Sequence, residues 1–421
     1  MTIEKNRYEA AVIGGGLAGL TAAVILARAG KSVVVLEKEN QLGGLAQTTK
    51  MNGALFNLGP HAMYEGGAAL RILSELGCLP KGGYASKSGM SGIINGSVLE
   101  VPAGLSLEEN AEWSSLMSGL GQIDTESVQS ISLQDWAVNH IRHERVRLLF
   151  HVMCRQWSYC DDMSVLSAGF AIKQGQLAGR GVHYVEGGWQ IVINDLRDAA
   201  KKAGATIVTG YMAEQIMLKN GSVNALKLSD GTVIKVSSII AAVGPHEVYR
   251  LVPDAEAMSI SRWRAESRPL YAACLDVALR NMPYPERVFA LGLDKPLYYS
   301  KHSGAVKLSD NGAHVLHVMK YNDNEYASNP KSDEKELIDF LELLEPGWDK
   351  EVVSIRFSPN VLVAHDSRTI HHHGAGPAPN PAVLEVPGLF VAGDWVGSEG
   401  RLADAAMASS KLAAEEVLRH A

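Results

Sequence analysis

Gly14-Gly15-Gly16-Leu17-Ala18-Gly19 and, eighteen positions after the last of them, Glu37 are the residues whose types and spacing speak of chemistry. Each suits a dinucleotide. Gly14 allows a tight turn, Gly16 lets backbone approach a pyrophosphate, and Gly19 lets the following helix pack on the preceding strand. The N–H groups at Leu17 and Ala18 open a helix, whose positive end favours phosphate. Glu37, with Lys38 beside it, ends the next apolar run, where a carboxylate accepts hydrogen bonds from ribose hydroxyls. The acid favours an unphosphorylated ribose, so FAD or NAD rather than NADP. No Ser/His/Asp set, metal-ligand spacing or paired carboxylate stands out. The reaction must therefore be carried by the bound cofactor.

A glycine-rich turn alone is common. Here the elements that would position it are present: an apolar strand from Ala10 to Ile13, a helical pattern from Leu20 to Arg28 closed by Gly30, and a second apolar strand from Ser32 to Leu36. Strand, turn, helix, strand and acid together predict a Rossmann-type βαβ unit and an α/β fold class.

The chain has 421 residues, 46% of them hydrophobic, with a net charge of −7. That suits two to three domains and disfavours nucleic acid as a partner. Its first residues lack a signal peptide's apolar stretch, and no run reaches the roughly 18 apolar residues of a membrane span. Cys78, Cys154, Cys160 and Cys274 are sparse and irregularly spaced, which reads as reduced thiols in the cytoplasm. The sequence carries no signal for oligomeric state.

After Glu37 come Gly43-Gly44-Leu45 and then Phe56-Asn57-Leu58-Gly59-Pro60-His61. With GxGxxG and Glu37-Lys38, this order resembles the N-terminus of the flavin monoamine oxidase, phytoene desaturase and protoporphyrinogen oxidase superfamily. The resemblance implies FAD as cofactor, with Gly43 and Gly44 against the pyrophosphate and ribityl chain. Many members carry Arg after the two glycines; this chain has Leu45. The resemblance also implies a discontinuous FAD-binding domain, 1–75, 185–245 and 385–421, and an interleaved α+β substrate domain, 76–184 and 246–384. In the return segment it places Ala213 beside the adenine and Gly244 near the nucleotide.

Within the interleaved regions, Asn95-Gly96 predicts a hairpin, and 107–179 is mostly helical in pattern. His371-His372-His373 lies in a proline-containing loop, read as solvated or wall-lining rather than metal-binding. Near the C-terminus, Leu389 to Ala392 leads into Gly393-Asp394, a turn from Gly397 to Gly400, and a helix expected from Leu402 to Arg419. The resemblance assigns Asp394 to the flavin chain, turns the N–H groups near Ala405 and Ala406 toward the isoalloxazine O2, and counts Leu402 among the cofactor-binding residues. A helix N-terminus suits that site, because reduced flavin is anionic there. Asp404 reads as a cap of its own helix, and Arg401 as a cap of the preceding turn rather than a partner for an acidic substrate.

The implied activity is removal of two electrons as a hydride from a small or apolar organic molecule, with phytoene-desaturase relatives favoured. Amine oxidases of the superfamily place an aromatic residue where Leu402 stands. The segment from Pro296 to Leu308 looks desaturase-like, with Tyr298 and Tyr299 either lining the cavity or divided between core and surface. Alternatives are an amine or protoporphyrinogen-type oxidase, a non-redox flavin isomerase, and a lipid-binding chaperone like the Rab-escort proteins. An apolar substrate also suggests contact with a membrane surface.

Overall fold

A computed structural model describes residues 6–86, 90–102, 104–322, 329–370 and 378–420. The His371-His372-His373 loop lies outside them. The glycine turn sits at the centre of a five-stranded parallel sheet ordered Thr206–Thr209, Val33–Glu37, Ala10–Ile13, Ser238–Ala241, Leu389–Val391. The Ala10–Ile13 and Val33–Glu37 strands are buried along their whole length. That is why they read as continuous apolar runs rather than alternating ones. The Leu17–Arg28 helix packs on one face with the Gln190–Lys202 helix and the closing helix, Ala403–Arg419.

A second, seven-stranded sheet is ordered Val352–Ala364, Leu270–Leu279, His314–Asn322, Leu297–Lys301, Phe289–Gly292, Met90–Ile94, Ser97–Glu100. It is antiparallel except where Phe289–Gly292 meets Met90–Ile94. The last two strands form the hairpin expected at Asn95-Gly96, both of which hold positive φ, as a type I′ turn requires. Helices Leu107–Gly119, Leu133–His140, Glu144–Ser158 and Ala168–Ala178 share a separate apolar core built on Trp136, Phe150 and Trp157.

The thirteen-residue Val352–Ala364 strand has no clear strand signature, because Pro359 interrupts it. It lies at the sheet edge, and its register against Leu270–Leu279 shifts between the partners of Ala272 and Cys274. An edge position and an irregularity are where a sheet tolerates proline. The strand matters because its far end forms one wall of the cavity described next.

Candidate functional site

A long cavity opens at the C-terminal edge of the parallel sheet and runs to the inner face of the seven-stranded sheet. Its first end is lined by Glu37, Lys38, Glu39, Tyr211, Ala213 and Arg250, its middle by Gly14, Gly16, Gly43, Gly44 and Gly244, and its far end by Tyr159, Cys274, Met319, Val361, Val363 and Leu402.

The glycine turn divides into positions the protein itself demands and positions it leaves open. Gly14 has φ +103°, and a Cβ there would lie 2.6 Å from the Ala242 carbonyl oxygen. A Cβ on Gly19 would fall 1.9 Å from the Gly14 carbonyl oxygen. Gly19 is thus a packing glycine behind the turn and does not line the cavity. Gly16 differs: a Cβ would meet only ordinary contacts, the nearest at 3.6 Å; Gly44 faces it with the Gly16 Cα 3.7 Å from where a Cβ would sit, though its φ of +54° itself favours glycine. The two bare Cα positions leave a slot at the start of the Leu17–Arg28 helix. That helix has no side-chain cap and no acid in its first turn. A bare slot with unclaimed N–H groups fits a diphosphate.

Glu37 is buried, and its carboxylate braces the turn: Oε2 accepts from the Gly15 N–H at 2.8 Å, and Oε1 from the Glu39 N–H at 2.9 Å. A carboxylate has further lone pairs, so the ribose role remains compatible with this bracing. Leu45 puts no charge on the double-glycine turn. Its carbonyl instead meets His61 Nε2 at 3.0 Å, while Nδ1 lies 3.1 Å from the Gly59 carbonyl. Burial pushes the His61 imidazolium down against the pull of these two carbonyls. Pro60 lines the cavity beside His61. Gly59 does not, since its Cα faces the Cys274 thiol, 2.8 Å from where a Cβ would sit.

At the closing strand Gly393, φ +151°, turns the chain and Asp394 follows. Asp394 already has a protein partner that the sequence did not reveal. Its Oδ2 accepts from the His365 N–H at 2.9 Å, and its Oδ1 meets His365 Nδ1 at 2.7 Å. The closing helix starts at Ala403, one residue later than expected, because Leu402 holds φ +50° and ψ −120°. Tyr159, also lining the cavity, ends the Glu144–Ser158 helix with φ +63°. Non-glycine residues in this region are strained, and such strain concentrates at functional sites. Ala403 and Ala406 front the cavity, whereas Ala405 points into the core and does not.

Two local assignments change. Arg401 does not cap the turn; it is 4% exposed, stacks 5.2 Å from the Phe170 ring, and its guanidinium has no hydrogen-bond partner among the described residues. Arg368 holds the turn instead, donating to the Gly397 carbonyl at 2.9 Å. Asp404 caps a neighbour, not its own helix: Oδ1 accepts from the Ala69 N–H at 2.7 Å, at the start of the Ala68–Glu75 helix. Of the paired tyrosines, Tyr299 is core and donates to Glu345 Oε1 at 2.9 Å, while Tyr298 packs against Cys274 and Met319, both of which line the cavity.

Residues 9–415 match the family model described as FAD dependent oxidoreductase. Among curated relatives, the all-trans-retinol 13,14-reductase of Rattus norvegicus is 40% identical over 74 residues, 17% of this chain and 12% of that protein. The 4,4'-diaponeurosporene oxygenase of Staphylococcus aureus is 24% identical over 332 residues, 65% of this chain and 63% of that one. The chain thus spans less than two thirds of the length of either relative. A solved oxidoreductase from Methanosarcina mazei shares the fold with a TM-score of 0.78 at 19% identity, covering 98% of this chain and 100% of that one. With the glycine slot, the acid at its end and the Gly393-Asp394 turn in one cavity, the family match from end to end places the chain among the FAD-dependent oxidoreductases.

Proposed function

We propose that the protein removes a hydride equivalent from an apolar organic substrate, as a desaturase or oxidase does. FAD, when bound, supplies the electron-accepting chemistry. Gly14, Gly16, Leu17, Ala18, Gly43 and Gly44 bind its diphosphate, Glu37 and Lys38 its adenosine ribose, and Ala213 its adenine. Residues 1–75, 185–245 and 385–421 bind the cofactor; 76–184 and 246–384 bind the substrate.

The observation that carries the substrate class is the far end of the cavity. Cys274, Met319, Val361, Val363 and Leu402 line it, and Tyr159 is its aromatic wall. Among the described residues, the carboxylates of the lining are Glu37, Glu39 and Glu247, on the nucleotide side, and Asp394, engaged by His365. A substrate ammonium would find no free carboxylate at the far end, and Leu402 stands where an amine oxidase places an aromatic side chain. An apolar molecule is excluded from water there, against residues that take it up at about 25 cal/mol per Å². The names of the curated relatives, a retinol reductase and a diaponeurosporene oxygenase, support this reading. Such a substrate would be collected by peripheral contact with a membrane; among the described residues no helix is long and apolar enough to cross one.

An anaerobic screen tests the proposal. Apolar compounds with C–H bonds open to dehydrogenation should give up a hydride and bleach the flavin absorbance, whereas primary amines should not. Bleaching by amines alone overturns it. Flotation with liposomes tests the membrane contact, which is refuted if the protein stays in the dense fraction on every lipid mixture.

A further inference from the structure

The cavity that receives FAD is poorly matched in charge to its ligand. Among its described lining residues Glu37, Glu39, Glu247 and Asp394 are acids, and only Lys38 and Arg250 are permanent cations. Arg250 is committed elsewhere: Nε and a terminal nitrogen reach Glu247 Oε2 at 3.1 and 2.9 Å, and the same terminal nitrogen donates to the Ala213 carbonyl at 3.1 Å. Lys38 stands at the ribose end beside Glu37. The double-glycine turn contributes Leu45 and no charge. A diphosphate diester brings two negative charges into this setting.

One side chain in the middle of the cavity is built to answer them. His365 lies at the end of the Val352–Ala364 strand, with its ring edge over Gly244; a Cβ on Gly244 would come within 2.5 Å of Cδ2 and 2.9 Å of Nε2. Asp394 grips it twice, at the backbone N–H and at Nδ1, so the ring orientation is fixed. Nε2 makes no hydrogen bond among the described residues, and the side chain is 28% exposed in the cavity wall. Gly244 follows the strand beside Ala10–Ile13, whose end is the Gly14–Gly16 turn. We propose that His365, held as an imidazolium by Asp394, is the counter-charge for the FAD diphosphate and donates its Nε2–H to it. A carboxylate-bound imidazolium facing a phosphate is a charge-assisted donor, the stronger class of hydrogen bond.

The electrostatics agree in sign. Burial works to lower the His365 value, but the charge of Asp394 and its hydrogen bond outweigh it, and the imidazole is raised above its ordinary value. Burial likewise works to raise Asp394; His365, and more remotely Arg401, outweigh it and keep the carboxylate ionised. The other charged groups around the ring are Glu247 and Arg250 on the helix after Gly244, Asp366 and Arg368 in the loop after His365, and Arg401 before the closing helix. The ligand-free ring already holds its proton above the ordinary imidazole value, so FAD binding is strongest below that raised value and weakens as pH climbs above it.

The test is equilibrium binding of FAD to apoprotein, read by flavin fluorescence, from about pH 6 to about pH 9.5. Wild-type affinity should fall by roughly tenfold across the range. His365→Gln keeps a donor but no charge; it should bind at the low end about as weakly as wild type does at the high end, with the steep part of the profile gone. His365→Lys restores the charge and should bind tightly with a flat profile. Comparing variants with wild type at each pH cancels the contributions of the surrounding groups, which all three proteins share. A Gln variant as tight as wild type at about pH 6, a profile unchanged by the substitution, or a Lys variant as weak as Gln each overturns the proposal. The readout needs no substrate, so its failure leaves the proposed reaction standing, and failure of that reaction leaves this inference standing.

Discussion

Glu37 shows how much one side chain is asked to do. Its two oxygens hold the amides of Gly15 and Glu39, so it shapes the turn as well as lining one end of the cavity. Hydrogen bonds to a charged group contribute roughly 1.5–3 kcal/mol each. Glu37→Ala should therefore weaken FAD binding about tenfold or more, measured by titrating apoprotein with FAD. It should also lower the melting temperature of the apoprotein, because the buried Gly15 N–H loses its acceptor. Unchanged FAD affinity would remove Glu37 from the binding site. At this scale the glycines and the acid were legible, since each obeys a local backbone or charge rule. His365 was not, because nothing in its neighbourhood of sequence marks it; its role comes from Asp394, twenty-nine positions away.

Among the elements, the closing helix is the one whose chemistry moved most between sequence and structure. An acid in a first turn ordinarily stabilises its own helix. Asp404 instead caps the Ala68–Glu75 helix, which has only Gly67 at its N-cap and no capping side chain of its own. It is 3% exposed, and burial, aided by Glu399, outweighs the Ala69 amide and Arg71 and pushes its carboxyl up to about 6. The folded state thus holds the proton more tightly than the unfolded chain. The associated stability is fully present below the ordinary carboxyl value and is lost as pH rises through about 6, by something on the order of 2–3 kcal/mol. Asp404→Asn keeps an acceptor for Ala69 without a charge. Thermal melts from about pH 4 to about pH 7 should show a decline in wild type that the variant lacks. The flavin's redox potential should be unmoved, since Asp404 does not line the cavity. A rise of the potential in the variant would place the carboxylate by the flavin and refute the capping role.

For the whole molecule, the seven-stranded sheet is tied to the Ala54–Asn57 strand by a buried polar network. Asp276, fully buried, meets His317 Nδ1 at 2.6 Å and takes both Arg356 Nε at 3.1 Å and a terminal nitrogen at 2.5 Å. The same terminal nitrogen reaches the Asn57 carbonyl, at the end of the Ala54–Asn57 strand. Removing one partner of such a network leaves an uncompensated buried charge and costs about 3–5 kcal/mol. Arg356→Met should show that loss in urea denaturation, and Asp276→Asn placed on top of it should recover a large part. A loss below about 1 kcal/mol would mean the network does not couple the two sides.

What the sequence determined by itself was whatever rests on short-range rules. The βαβ unit follows from apolar runs, glycine freedom and one acid at fixed spacing; the type I′ hairpin follows from Asn95-Gly96; the closing strand and turn follow from an apolar run into Gly393-Asp394. Tertiary structure decided what rests on distant pairs. Pro359 hides the longest strand from any local reading, and only its edge position in the sheet makes that strand possible. Arg401 and Arg368 are both arginines near one turn; Arg368 donates to the Gly397 carbonyl, while Arg401 lies over the Phe170 ring. The far wall of the cavity gathers Tyr159, Cys274, Met319, Val361 and Leu402 from three separate strands and two helix ends. No spacing rule links residues so far apart in the chain, because a wall is made by surfaces that meet only when the two sheets and the helices between them have packed.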